Sequence, residues 1–198
     1  MFIELTEILR CPRGHPESYL VAAPIAMDGR RIVRGVIGCP ECKAEFPIVE
    51  GVAYFAGRPQ AVQPPAAAPS YDVAALAAFL NLGGPGGYAV LVGAAARFGS
   101  EITRAVQGVH FVAVNPPPAV SEGPQLSVLV AAALPFKSSS VRAVALGADH
   151  AAGEWPAEAA RILLPGLRLA IESERASPEG ISELARGAGL FVGEKGRS

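Results

Sequence analysis

The stretch Tyr88-Ala89-Val90-Leu91-Val92-Gly93-Ala94-Ala95-Ala96-Arg97-Phe98-Gly99 decides how the chain is read. A short apolar run, far below the ~18 residues of a membrane span, breaks at a glycine where a helix can start. This is the strand, turn and helix start that opens a doubly wound α/β domain, and such domains hold their ligands at that turn. Downstream, strands are expected at 89–92, 109–114, 126–130, 141–146, 167–172 and 190–192, and helices at 100–106, 156–163 and 180–188. Apolar runs separated by crossovers predict a mainly parallel sheet with right-handed connections, buried on both faces. Upstream, 71–82 carries Leu76, Phe79 and Leu80 at helical spacing behind a capping Ser70 or Asp72, and the glycine-rich 83–87 ends that helix.

The chain has 198 residues, enough for one domain or for a small and a medium one. Its 17 basic side chains against 18 acidic ones exert no overall pull toward nucleic acid or anionic lipid. Hydrophobic residues make up 51%, much of it alanine interrupted by Gly and Pro, and no stretch approaches a membrane-spanning run. Glu4 and Glu7 stand where a signal peptide needs a basic start and an apolar core, so a cytoplasmic protein without membrane insertion is expected. Four prolines in the twelve uncharged residues 59–70 mark an extended linker. The expected organisation is a small unit over 1–58, a linker over 59–70 and an α/β unit over 71–198.

In the small unit, Cys11 and His15 precede a loop and a strand-like run over 31–37, and Cys39-Pro40-Glu41-Cys42 follows. Three thiolates and an imidazole make one complete tetrahedral set for zinc, delivered by two chelating turns. All four positions are filled by protein, so the expected role is structural, with binding on the order of 10 kcal/mol acting as folding energy. The first turn is the looser one, because Gly14 stands where the second cysteine of a CxxC pair would fall. The alternative is a ribbon without metal that keeps Cys39 and Cys42 as small buried hydrophobes. Arg30, Arg31 and Arg34 read either as contacts to a nucleic-acid backbone or as a solvated hairpin face, in a unit with as many acids as bases.

Leu5-Thr6-Glu7-Ile8-Leu9-Arg10-Cys11-Pro12, with Ala44-Glu45-Phe46-Pro47-Ile48-Val49-Glu50-Gly51-Val52 after the last ligand, resembles the zinc-ribbon family that activates methyltransferases acting on tRNA, rRNA and release factors. In the larger unit, two stretches resemble, in order and spacing, landmarks of class I S-adenosylmethionine-dependent methyltransferases. They are Leu134-Pro135-Phe136 with Ser140-Val141-Arg142-Ala143-Val144, and Glu158-Ala159-Ala160-Arg161-Ile162-Leu163-Leu164-Pro165-Gly166-Leu167-Arg168-Leu169. Together these resemblances imply an α/β, Rossmann-like fold, shortened after the fifth strand and preceded by a small β-rich zinc ribbon.

The second resemblance also implies where a cofactor would sit, and the residues there depart from the pattern. Gly93 keeps the first glycine of the turn, but the second falls on Ala95, the third on Arg97, and the acid before them on Leu91. The ribose-binding acid falls on Asn115, an amide without paired carboxylate oxygens, and the adenine-recognising acid falls on Val130. Each lost polar contact is worth roughly 1.5–3 kcal/mol, so together they remove useful S-adenosylmethionine affinity. Leu91, Gly93, Ala95, Arg97, Asn115 and Val130 are thus read as a vestigial site, with Arg97 expected to project into it.

Catalytic residues are not expected elsewhere. Asp149-His150 follows a strand on the ligand side of the sheet, but neighbours on an extended backbone point apart, so the pair is read as capped or solvent-facing. His110 and Trp155 read as structural. The preferred function is a non-catalytic zinc-binding scaffold or partner-binding subunit, a pseudo-methyltransferase that binds a protein partner or a second copy. The alternatives are an active methyltransferase with an atypical pocket, and nucleic-acid binding through the three arginines.

Overall fold

The computed structural model describes residues 1–56 and 70–197. The linker expected over 59–70 lies outside these apart from Ser70. The strands are β1 (Val21–Asp28), β2 (Arg31–Gly38), β3 (Glu45–Val49), β4 (Val52–Tyr54), β5 (Tyr88–Val92), β6 (His110–Val114), β7 (Leu126–Val130), β8 (Val141–Leu146), β9 (Leu163–Ile171), β10 (Ile181–Gly187) and β11 (Leu190–Lys195). The α-helices are α1 (Val73–Phe79), α2 (Gly99–Ala105) and α3 (Trp155–Ile162). All eleven strands form one sheet in the order β1-β2-β3-β4-β7-β6-β5-β8-β9-β11-β10.

The five pairings from β4 through β9 are parallel, with three antiparallel pairings on the N-terminal side and two on the far side. The sheet as a whole is therefore mixed, with a parallel centre; among the strands of 71–198 four of the six pairings are parallel. In the centre, alternate residues serve two cores. Val90, Val92, Val112, Val114 and Leu146 face one side with α3, while Leu91, Phe111, Ala113 and Ala145 face the other with α1 and α2. Burial on both faces makes these strands read as continuous apolar runs. Asp72 caps α1 by accepting the Ala75 amide at 2.8 Å. Among the described residues no helix is long and apolar enough to cross a membrane.

One expected element is of another type. Residues 180–188, read as a helix, contain β10, which pairs antiparallel with β11. Ala188 and Gly189 both take positive φ, 51° and 80°, and close a two-residue turn between Gly187 and Leu190. That turn chemistry outweighs the helical pattern of the segment, which lies exposed at the sheet edge with Arg186 over the Phe191 ring, 4.9 Å from its centroid.

The two ends of the chain's first half are tied into the sheet at three places. Ala53 and Tyr54 of β4 pair in parallel with Leu129 and Val130 of β7. Leu9 bridges Phe136, the Arg10 amide donates to Pro135 O at 3.0 Å, and the Lys137 amide donates to Ile8 O at 2.8 Å. The stretches that carry the two family resemblances thus bind each other. At the third place, the Phe2 ring stacks on His110 at 4.5 Å, and Ser127 Oγ meets both the Phe2 amide (3.0 Å) and His110 Nε2 (2.9 Å). The Met1 ammonium is buried there against Glu122 Oε2 at 2.8 Å. The Glu122 carboxylate lies where a Cβ on Gly51 (φ 81°) would stand, so only glycine fits that turn.

Burial, and the Met1 ammonium, push His110 down to about 4. The unfolded chain therefore takes up this proton first, near pH 6.5, and the stability it contributes is present above that value and lost as pH falls toward 4. We expect the unfolding free energy of the parent to fall about 2 kcal/mol more than that of His110→Gln between pH 7 and pH 4.5 in urea titrations. Parallel pH profiles would contradict this environment for His110.

Candidate functional site

Two groups of chemistry-bearing residues are assembled by this sheet. The first lies at its antiparallel end. Cys39 closes β2, and the Cys39 amide donates to Ala44 O (2.9 Å) while the Lys43 amide donates to Cys39 O (3.0 Å), which turns Cys42 back toward Cys39. Cys11 and His15 come from the loop that follows the Leu9 bridge. The ligand atoms of Cys11, His15, Cys39 and Cys42 all lie within 4.8 Å of one another. A zinc tetrahedron with Zn–S of about 2.3 Å and Zn–N of about 2.0 Å has S···S edges near 3.8 Å and N···S edges near 3.5 Å. Cys11 Sγ to Cys42 Sγ is 3.7 Å, and His15 Nε2 to Cys39 Sγ is 3.5 Å. Donor type and edge lengths therefore fit zinc, and with His15 in the set the open position at Gly14 needs no ligand.

Burial pushes the Cys11 thiol up to about 11. At Cys39 burial is outweighed by the Ser18 hydroxyl and the Cys42 and Glu41 amides, which bring the thiol down to about 6. The nearby arginines are partly committed: Arg30 is ion-paired with Glu4, and Arg31 with Asp28 and Glu122, while Arg34 is exposed.

The second group sits over the carboxyl ends of the parallel strands. β5 runs into Gly93, whose φ of 57° leads into a 3-10 turn over Gly93–Phe98 and then α2. A Cβ on Gly93 would collide with the Asp149 carboxylate and the His150 ring. These two side chains lie side by side, with His150 Nδ1 3.2 Å from Asp149 Oδ1. The sequence reading had them pointing apart; a 3-10 turn at Ala148–His150, not an extended backbone, brings them together. His150 is buried, not solvent-facing, with its ring edge-on to Trp155 at 4.4 Å and Asn115 Nδ2 3.4 Å from its Nε2. Asp149 Oδ1 accepts the Ala94 amide at 2.9 Å. Burial raises that carboxyl, but His150 and the Ala94 amide outweigh burial and hold it below the usual carboxylate range.

The remaining positions are spoken for by the chain itself. Asn115, in the left-handed region at φ 51°, donates to Ala131 O (2.8 Å) and accepts the Ala131 amide (3.0 Å), tying β6 to β7. Leu91 and Ala95 are fully buried in the core beneath α1 and α2, and Val130 pairs with Tyr54 at the β4 seam. Arg97 Nη1 reaches Glu172 Oε1 at 2.6 Å and Ala94 O at 2.9 Å, with its guanidinium over Phe98 (4.4 Å) and Tyr71 (5.2 Å). Glu172, 4% exposed, also accepts the Tyr71 hydroxyl at 2.6 Å and the Ala148 amide at 3.1 Å. Burial first, and then this carboxylate, push the Tyr71 hydroxyl above its ordinary range. Glu172 and Tyr71 were not singled out from the sequence, because only the strand order brings the end of β9 beside the turn after β5.

Two pockets flank this network. One of about 360 Å³ is lined by residues including Ala132, Ala133, Asp149, Trp155 and Glu158, and one of about 600 Å³ by residues including Ala148, Pro156, Glu172 and Arg175. Leu91, Gly93, Ala95, Arg97, Asn115 and Val130 line neither.

No protein-family model and no curated protein matches the sequence. Among solved structures, the chain is similar to one chain of the complex between the Haloferax volcanii Trm112 methyltransferase activator and a methyltransferase, with 17% identity, 64% of this chain and 90% of that one covered, and a TM-score of 0.47. It is similar to the antibiotic-resistance methyltransferase Kmr, with 14% identity, coverage of 65% and 95%, and a TM-score of 0.43. A third is geranyl diphosphate C-methyltransferase from Streptomyces coelicolor, solved with S-adenosyl-L-homocysteine, with 20% identity, coverage of 50% and 42%, and a TM-score of 0.38. The chain spans 42% to 57% of the length of six of the solved structures to which it is similar.

Removing one partner of a buried ion pair leaves the other unmatched. Glu172→Gln and Arg97→Gln are each expected to lower unfolding stability by about 2–3 kcal/mol, and the double variant by clearly less than their sum. Urea unfolding of the four proteins checks this; additive losses would mean the pair is not coupled.

Proposed function

We propose that the chain is a non-catalytic scaffold: a structural zinc ribbon over 1–58 joined by 59–70 to a methyltransferase-like α/β unit over 71–198 whose cofactor groove is closed by its own side chains. The observation that carries this reading is the seating of Asp149 and His150 against Gly93. The amide at the helix start that a bound ligand's anionic group would take is the Ala94 amide, and Asp149 already accepts it. Asn115 spends one donor and one acceptor on Ala131, and its Nδ2 also lies 3.4 Å from His150 Nε2, which turns the amide toward the chain's own groups. Arg97 is turned to Glu172 and Tyr71.

A partner-binding role is supported by the ribbon surface. Tyr19, Val21, Ile25, Met27 and Val49 are exposed there, a concentration of large apolar side chains of the kind that marks interaction sites. The partner is a protein or a second copy of this chain. The cytoplasm is the proposed setting, where reduced cysteines keep a zinc site loaded.

A second reading, an active methyltransferase with an atypical pocket, is favoured by the pocket of about 360 Å³ beside Asp149 and Trp155. Calorimetric titration of S-adenosylmethionine into the purified protein separates the two. The scaffold reading predicts no binding at ligand concentrations up to about 1 mM, whereas micromolar affinity, more than about 4 kcal/mol stronger, would overturn it. Elemental analysis is expected to find about one zinc per chain, falling several-fold in Cys39→Ser. Metal-free parent protein that stays folded would contradict the zinc assignment.

A further inference from the structure

We propose that Cys42 is an oxidative modification site and Cys11 its resolving thiol, so that peroxide turns this ligand pair into a disulfide and opens the metal centre. This rests on the zinc reading above. Cys11 and Cys39 are buried, whereas Cys42 is exposed. A small oxidant therefore meets Cys42 first, because susceptibility follows exposure as well as thiolate character, and a zinc-held cysteine is already a thiolate. Cys11 Sγ lies 3.7 Å from Cys42 Sγ, and closing to a disulfide bond of about 2.05 Å needs less than about 2 Å of movement. Cys39 Sγ, within 4.8 Å of both other thiols, is in addition held 3.5 Å from Ser18 Oγ. Accessibility and a resolving partner therefore coincide on the Cys11–Cys42 pair.

The chemistry needs one equivalent of hydrogen peroxide per chain. The Cys42 thiolate attacks a peroxide oxygen, an S–O bond forms as the O–O bond breaks, and hydroxide leaves; the sulfur, now sulfenic acid, is oxidised and the peroxide reduced. The Cys11 thiolate then attacks Cys42 Sγ, the S–S bond forms, and the S–O bond breaks to release a second hydroxide; the acid form of the buffer protonates both hydroxides to water. Two thiolates have lost two electrons to one peroxide, and the centre keeps only His15 and Cys39 as ligands. Two ligands do not hold zinc in a closed structural site.

The test uses the full zinc-loaded chain. Zinc content is measured first; protein that purifies folded without zinc overturns the zinc reading and this proposal with it. With zinc present, hydrogen peroxide is titrated while released zinc is followed with a chromogenic chelator, and disulfides are mapped by mass spectrometry. The expected result is loss of the zinc at about one equivalent of peroxide, a Cys11–Cys42 linkage, and recovery of binding after a thiol reductant and zinc are added. A Cys39–Cys42 linkage, or cysteine oxidation with zinc retained, overturns this proposal while leaving the zinc reading intact. Cys42→His, which keeps a ligand at that position, is expected to release zinc at least about tenfold more slowly. Release at the parental rate would contradict the assignment. The disulfide map of the parent decides the question even if this variant does not fold.

Discussion

Backbone amides in the turns beyond the carboxyl ends of parallel strands lie outside the ladder, and a buried amide left without an acceptor costs about 1–3 kcal/mol. In this protein three of them, at Ala94, Ala131 and Ala148, are met by the side chains of Asp149, Asn115 and Glu172. Two of the acceptors are themselves held in place: Asn115 by its second bond to Ala131, and Glu172 by Arg97 and Tyr71. A ligand entering over Gly93 would have to displace these bonds one for one, and would gain only the difference. These bonds tie together the turns at the sheet's upper rim; of the network's side chains Glu172 and His150 are buried, while Arg97, Asp149, Asn115 and Tyr71 are partly exposed.

The same economy of polar groups runs through the N-terminal strands. β4 extends the parallel sheet by pairing with β7, so the antiparallel strands that carry the Cys/His cluster are part of the main sheet. The Leu9–Phe136 bridge lies directly before Cys11, which places the cluster at the end of a segment anchored on the body. Seating of the Cys/His cluster and seating of the N-terminal segment are linked through those few residues.

Much of the central sheet was legible because β5 to β8 are buried on both faces and appear as unbroken apolar runs. The clustering of Cys11, His15, Cys39 and Cys42 was legible from spacing, since each turn that pairs them is local. What failed was the chemistry of particular turns. Ala188-Gly189 converts a helical pattern into the β10–β11 hairpin, and the 3-10 turn at Ala148–His150 places two neighbouring side chains on the same side. Arg97 was recognisable as an odd residue at a glycine position, but its partners Glu172 and Tyr71 lie 75 and 26 residues away in sequence, counted as 172 − 97 and 97 − 71. Long-range pairs of that kind are set by strand order, which periodicity does not encode.

The most direct test of the central claim is hydrogen–deuterium exchange at the Ala94, Ala131 and Ala148 amides, resolved by NMR with and without S-adenosylmethionine. If the chain's own side chains close the rim, all three amides exchange slowly in the free protein and the added ligand leaves their rates unchanged. Fast exchange in the free protein that slows when S-adenosylmethionine is added would contradict the account.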